Sequence, residues 1–253
     1  MKKRLILGDC LEEMKKIRSG SVDAIITDPP YGTTACKWDS IIDLPLLWEQ
    51  LKRVIKPNGA IIMTASQPFT TTLISSNMKM FKYCWVWEKP QGTNPMLAKK
   101  QAMKCHEDIV VFYGKQSTYN PQMTQGTPYS GFESSTATTG EIMGQSKSVH
   151  RNNPEGTRYP RSVLQFKSAR AKNGHPTQKP VALMEYLIKT YTHEGEIVLD
   201  CAMGSGTTGV ACKKLNRNFI GIEKESEYFS MACLLYTSPS PRDRTRSRMP
   251  SSA

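Results

Sequence analysis

Two short stretches of this chain bring together residue types that could do chemistry. The first is Asp28-Pro29-Pro30-Tyr31, which follows the apolar run Val22-Asp23-Ala24-Ile25-Ile26. Prolines lack an N–H and fix φ, so the carbonyls of this stretch can be held outward as acceptors. Tyr31 adds a flat face. A carboxylate and a carbonyl that accept both hydrogens of an exocyclic amine, beneath a stacking ring, describe a pocket for an aminated base. A Pro-Pro turn that simply ends a strand is the plainer alternative.

The second stretch is Asp200-Cys201-Ala202-Met203-Gly204-Ser205-Gly206-Thr207-Thr208, placed between an apolar strand and a helical pattern. Glycines there let backbone amides approach a ligand at a helix N-terminus. Glu223 ends the next apolar run, within reach of ribose hydroxyls if the turn holds a nucleoside-bearing cofactor. The usual third glycine is missing, so the short loop and its acid suit a zwitterionic tail better than a pyrophosphate. A tight strand-to-helix turn needs glycine in any case, so the turn gains its meaning only together with Glu223.

Bulk properties bound what these stretches can belong to. The chain has 253 residues, 34 Lys and Arg against 22 Asp and Glu, and a formal net charge of +12. The basic balance (pI near 9.4) points to a polyanionic partner, a basic surface without a specific role being the alternative. No apolar run reaches the roughly 20 residues of a membrane span, and nothing resembles an export signal, so the expectation is a cytosolic protein with no membrane partner. The seven cysteines are scattered without Cys-x-x-Cys pairs, so reduced thiols and no metal are expected. His106 and His193 lack ligand spacing, and Trp85 and Trp87 read as strand residues rather than base stackers.

The elements that must position the two stretches alternate between strand-like and helix-like patterns, which predicts a parallel sheet covered on both faces. Strands are expected at 5–7, 22–26, 60–63, 83–87, 109–112, 197–200 and 219–222. Helices are expected at 9–17, 46–54, after Pro68, at 181–191, from the glycine turn to about 215, and from Ser226. Lys56-Pro57-Asn58-Gly59 reads as a turn that ends a helix.

Between these halves, residues 114–174 lack a sustained period and hold eight basic residues against three acids. So long a loop is uncommon in a compact domain and reads as a functional insertion or a disordered one. From Cys233 the chain resembles the translation of a transposon-end sequencing adapter, so 233–253 are set aside as a non-native tail, a natural disordered basic tail being the alternative. The resulting partition is 1–113, 114–174, 175–232 and 233–253.

Asp28 to Tyr31, His175-Pro176-Thr177-Gln178-Lys179-Pro180 and Asp200 to Thr208, in that order, resemble the amino-methyltransferases of DNA, in particular the circularly permuted β class. The resemblance covers about residues 5–232. It implies a doubly wound, mostly parallel seven-stranded α/β sheet with one reversed strand, a target-recognition insertion, and S-adenosylmethionine as cofactor. Carried over by position, Asp28, Pro29, Pro30 and Tyr31 would hold a flipped base, with Asp28 also facing the cofactor. Asp200, Gly204, Ser205, Gly206 and Thr207 would surround the methionine portion, Glu223 the ribose and Asp9 the adenine amine. Thr177 and Lys179 would close over the methionine end. Ala202, where the family usually carries Pro or an aromatic residue, leaves that wall smaller.

The expected activity is methyl transfer to an exocyclic amine of double-stranded DNA. Asp rather than Ser before the prolines favours adenine N6; cytosine N4, an RNA or protein amide, and a non-catalytic DNA- or nucleotide-binding role are the alternatives. Arg151, Arg158, Arg161, Lys167, Arg170 and Lys172 in the insertion are the candidate DNA contacts. The oligomeric state stays open, a homodimer included.

Overall fold

A computed structural model of the chain describes residues 3–34, 36, 39–134, 149–167 and 178–237. Twelve strands and six helices occur among the described residues. The chain separates into two compact units, Met1–Asn120 with Ser162–Ala253, and Pro121–Arg161.

The larger unit is built on one eight-stranded sheet in the order β1-β12-β11-β2-β3-β5-β4-β10. Its strands are β1 (Lys3–Leu7), β2 (Val22–Thr27), β3 (Ile55–Ala65), β4 (Phe81–Thr93), β5 (Lys104–Phe112), β10 (Val163–Gln165), β11 (Ile197–Asp200) and β12 (Asn218–Glu223). Every pairing is parallel except those of β5, which runs against both β3 and β4. One reversed strand in a mostly parallel sheet was the expectation, and it is β5. The eighth strand, β10, was not expected: three residues from within 114–174 pair with β4, Val163 opposite Val86 and Gln165 opposite Glu88.

Strand alternation sorts the apolar residues to two faces, as period 2 requires. Ile25, Ile61, Val110 and Leu199 pack on one side with Met14, Leu47, Leu51 and Leu73 from α1 (Cys10–Lys15), α2 (Leu44–Val54) and α3 (Phe69–Ser76). Ile26, Ile62, Val111 and Val198 pack on the other with Leu183, Leu187, Tyr191, Ala211 and Ala232 from α4 (Val181–Tyr191), α5 (Thr207–Lys214) and α6 (Ser226–Thr237). Burial on both faces is why these strands read as unbroken apolar runs. Trp85 and Trp87 share the second face, and their indole N–H groups donate to the Tyr191 hydroxyl at 2.7 Å and the Phe166 carbonyl at 3.1 Å.

Lys56-Pro57-Asn58-Gly59 is not a free turn. The pairing with β2 jumps from Val22–Ile55 to Ala24–Ala60, so these residues bulge within β3. Gly59 is required there, because a Cβ would meet the Asp23 carbonyl at 2.6 Å. Helix α6 continues through Cys233 to Thr237, so the first residues set aside as tail extend an ordinary helix; residues 238–253 lie outside the described residues.

The smaller unit holds two antiparallel pairs: β6 (Thr124–Gln125) with β9 (Thr157–Arg158), and β7 (Tyr129–Ser134) with β8 (Val149–Asn153). Gly156 sits at φ +68 with its hydrogen facing the Gly126 carbonyl, an approach that leaves no room for a Cβ. The insertion read as 114–174 is wider than this unit, since Asn120 donates its backbone N–H to Thr190 in α4 and β10 belongs to the main sheet.

Candidate active site

The strand order turns outward in both directions from the β11–β2 pair, and such a switch point opens a crevice at the C-terminal ends of the strands. A cavity of about 620 Å³ opens at this edge. Asp28 to Tyr31 line it from β2, Asp200 to Ser205 from β11, Glu223 from β12, and Gly8 and Asp9 from β1. The two stretches with chemical promise therefore face one space.

Asp28 follows β2 and is held by three donors. Tyr31 donates its hydroxyl to Oδ1 at 2.7 Å, Thr64 of β3 donates to the same oxygen, and Lys179 donates to Oδ2 at 2.7 Å. A carboxylate has about four acceptor positions. Two donors on Oδ1 and one on Oδ2 leave one position, on Oδ2. Burial, followed by the nearby Asp28 and Glu107 carboxylates, raises the Tyr31 pKa well above that of an ordinary phenol, so its hydroxyl remains a donor. The Tyr31 ring lies stacked on Phe69, centroids 5.4 Å apart, with Lys179 Nζ 5.5 Å from the ring centre.

Lys179 lines the same cavity beside Asp28. Its ammonium bridges two acids, Asp28 and Glu107, the latter at 3.1 Å, and Glu107 in turn pairs with Lys89 of β4. Burial alone would lower the Lys179 pKa, but the two carboxylates outweigh it and hold the amine protonated above its ordinary value. Thr64, Glu107 and Lys89 carry no motif. They reach the site because β3 and β4 end, and reversed β5 begins, at the same edge, and the periodicity of the sequence starts its fifth β-run only at Ile109, past Glu107.

The loop after Tyr31 is organised by Asp39. Its carboxylate accepts backbone N–H bonds from Tyr31, Gly32, Thr33 and Thr34 at 2.7 to 2.9 Å. Burial opposes ionisation, yet the donors around Thr34, Gly32 and Tyr31 prevail and lower the Asp39 pKa.

Beside the glycine turn, Asp200 is buried and accepts from Thr27 at 2.7 Å, Thr208 at 2.6 Å and the Ala202 N–H at 3.1 Å. Burial dominates and pushes its pKa up to about 6, against the lowering effect of those donors. Gly204 and Gly206 take positive φ, +51 and +84, and Gly206 caps α5. The Gly204 N–H and the Glu225 N–H each donate to one oxygen of Glu223 at 2.8 Å, so each oxygen keeps a free acceptor position. Thr207 accepts from Gln178 at 3.1 Å, which ties the 175–180 motif to the glycine turn. Asp9 caps α1 through Leu11 N–H at 2.9 Å and reaches Lys224 at 3.7 Å. Ser205 is buried in the cavity wall. Thr177 lies outside the described residues.

Of the insertion's basic residues, Arg158 is engaged within its own unit, donating to the Thr127 and Thr157 carbonyls and covering the Tyr129 ring at 4.9 Å. Arg161 and Lys167 are exposed. Arg151 lies on β8, and Arg170 and Lys172 fall outside the described residues. Among the described residues no cluster of three His, Cys, Asp or Glu could hold a metal, and no helix is long and apolar enough to cross a membrane.

Comparison with known proteins agrees with this geometry. The chain is 31% identical over 251 residues to the type II methyltransferase M.HpaI of Haemophilus parainfluenzae, covering 92% of this chain and 73% of that protein. It is 31% identical over 252 residues to the DNA adenine methyltransferase YhdJ of Escherichia coli strain K12, covering 90% and 81% respectively. The crystal structure of the M1.HpyAVI–SAM complex superposes with a TM-score of 0.62 at 25% identity, covering 93% of this chain and all of that one. The cytosine-N4-specific PvuII DNA methyltransferase, at 14% identity and a TM-score of 0.67 over 98% of this chain and 90% of that one, shares the fold. A profile described as DNA methylase matches residues 22–233. With the acid-proline stretch and the glycine turn on one cavity inside that span, the chain belongs to the N6/N4 DNA methylase family, whose members transfer methyl groups from S-adenosylmethionine to DNA.

Proposed function

We propose that this enzyme methylates the exocyclic N6 of adenine in duplex DNA, with the target base turned out of the helix into the cavity beside Asp28. The observation that carries the proposal is the hydrogen-bonding state of Asp28: three donors fix its carboxylate and leave one acceptor position on Oδ2. Pro29, which cannot donate, lines the same space. An amine nitrogen conjugated with the ring is a poor nucleophile. Asp28 and the Pro29 carbonyl, accepting its two hydrogens, draw them out of the ring plane and localise the lone pair. Positioning of this kind contributes up to roughly 7 to 11 kcal/mol in favourable reactions. Tyr31 offers a stacking surface, and the proton released after transfer leaves through Asp28 or water.

The residues on the other side of the cavity fit S-adenosylmethionine. Asp200 and Glu223 keep spare acceptor positions beside a turn whose glycines admit a close ligand. Asp200, Gly204, Ser205, Gly206 and Thr207 would hold its methionine portion, Glu223 its ribose and Asp9 its adenine. When bound, the cofactor supplies an electrophilic methyl group on a positively charged sulfur.

Adenine is favoured over cytosine by the acid at position 28 and by the likeness to an adenine methyltransferase along 90% of this chain. Arg151, Arg158, Arg161, Lys167, Arg170 and Lys172 would contribute phosphate or base contacts, giving strongly salt-dependent binding. The test is methylation of unmodified plasmid DNA with labelled cofactor, followed by mass analysis of the nucleosides. N6-methyladenine is expected, with activity lost by about 100-fold or more in Asp28→Ala while cofactor binding persists. N4-methylcytosine as the product would overturn the adenine assignment.

A further inference from the structure

The connection between β4 and β5 projects from the sheet at the edge where the cavity opens. β4 lies parallel to β3 across the reversed β5, so Thr93, at its end, falls on the same side as Asp28 and Asp200. Lys89 and Thr93 line the cavity itself. Beyond them every residue from Thr93 to Met103 is exposed.

This loop is built rather than slack. A short 3-10 turn at Pro95–Leu97 starts from Asn94 in the left-handed region and continues into a second turn. Leu97 and Ala98 donate their N–H groups to Asn94 and Pro95, and Lys100 and Gln101 donate theirs to Leu97, at 2.8 to 3.2 Å. Thr93 bonds the Lys104 carbonyl at 3.0 Å and closes the base. At the tip such ordering exposes what folding usually hides: Met96 is 95% exposed, with Leu97 and Met103 at 37% and 43%.

The charge of the loop is one-sided. Residues 89–105 carry Lys89, Lys99, Lys100 and Lys104 and no acid. Lys89 pairs with Glu107 and Lys104 with the Ser66 hydroxyl, at the foot of the hairpin. Lys99 and Lys100 form no ion pair among the described residues. An apolar tip with free cations behind it matches a duplex, where a side chain can enter between unstacked bases and cations meet phosphates.

We propose that the 94–103 hairpin tip is a DNA-contacting wedge: Met96 and Leu97 occupy the stack beside the everted base, and Lys99 and Lys100 hold the neighbouring phosphates. The proposal rests on the reading of the cavity as a site for a base of duplex DNA. It adds a contact surface outside the basic insertion, at the rim of the site.

The test uses the full chain and the methylated sequence mapped in DNA from cells that express it. That sequence is placed in short duplexes with the target base either paired or opposite an abasic position. A Met96→Ser, Leu97→Ser double variant should lose about tenfold or more in kcat/KM on the paired duplex. It should recover to within about threefold of the wild type when the target is unpaired beforehand, since the wedge then has little left to do. A Lys99→Gln, Lys100→Gln variant should lower the slope of log K against log salt by about 2, close to 0.9 per phosphate contact. All four side chains are exposed, so thermal stability and cofactor binding should not move. Wild-type rates on both duplexes in the double variant, with an unchanged salt slope in the lysine variant, would overturn the wedge. A shift in oligomeric state without a change in DNA binding would overturn it too, by making the tip a contact between copies. Failure of the wild type to methylate DNA would instead refute the reading of the cavity.

Discussion

Replacing Lys179 with Met tests how the acceptor at Asp28 is kept competent. The ammonium lies 2.7 Å from Asp28 and 3.1 Å from Glu107, with 7% of its side chain exposed, so it is the shared counter-ion of two acids. Met keeps most of the volume and removes the charge. A hydrogen bond to a charged group contributes about 1.5 to 3 kcal/mol, and loss of one partner of a buried pair costs about 3 to 5 kcal/mol. Asp28 is 27% exposed and Glu107 retains Lys89, so the smaller range applies. That predicts a fall of about 10- to 150-fold in kcat on DNA, one decade per 1.36 kcal/mol. Without the cation between them, the two carboxylates repel. The assay is steady-state methylation, with cofactor affinity measured separately by calorimetry. A variant with wild-type kcat and weakened cofactor binding would refute the reasoning and restore Lys179 to the methionine side of the cavity. Rescue by Lys179→Arg, which keeps the charge, should be partial because the planar guanidinium demands a different geometry.

Two further outcomes follow from groups at the glycine turn. Asp200 has its folded pKa raised to about 6 by burial, against about 3.9 for a free aspartate. The folded state then binds the proton more tightly than the unfolded one. Its contribution is fully present below about pH 4 and is lost as pH rises through about 6, a change on the order of 3 kcal/mol. Thermal melts of wild type minus Asp200→Asn across this window should show that slope, and a flat difference would contradict the burial argument. Gly206 sits at φ +84, and a Cβ there would approach the Ala232 Cβ at 2.9 Å. Gly206→Ala should cost about 1 to 2 kcal/mol for the backbone alone, lowering Tm by roughly 2 to 8 °C. Adding Ala232→Gly should relieve the clash and leave the backbone cost, and a double variant as stable as wild type would show that the φ strain is absent.

Much of the fold was legible in the sequence because its signals are physical ones. Helix α4 and strand β11 fall at the bounds that periodicity and Gly195 indicate. Paired faces made the central strands continuous apolar runs. Other features depend on contacts between distant segments. The bulge at 56–59 looks like a turn because Pro57 and Gly59 are turn residues wherever they occur, and only pairing with β2 shows them inside a strand. β10 is three residues long and gains its identity from β4. The site divides the same way: Asp28, Asp200, the glycines and Glu223 stand at strand ends and can be found by position. Thr64, Lys89 and Glu107 reach Asp28 and Lys179 through the reversal of β5, which no local pattern records. Lys179 lines the cavity, and the partners that hold it there, Asp28 and Glu107, come from the end of β2 and from β5 and carry no motif spacing with it.

The pairing of β1 with β12 bears on how the protein is made. Residues 3–7 find their neighbours at 219–223, and the Gly8 N–H closes on the Glu223 carbonyl at 2.8 Å. During synthesis β1 must therefore wait for β12, which follows it by more than 200 residues. Contacts this far apart along a chain slow folding, and an edge left open invites mispairing in the interval. The wall of the cavity that joins Asp9 to Glu223 is therefore completed only after residues 218–223 have been made and have paired with residues 3–7.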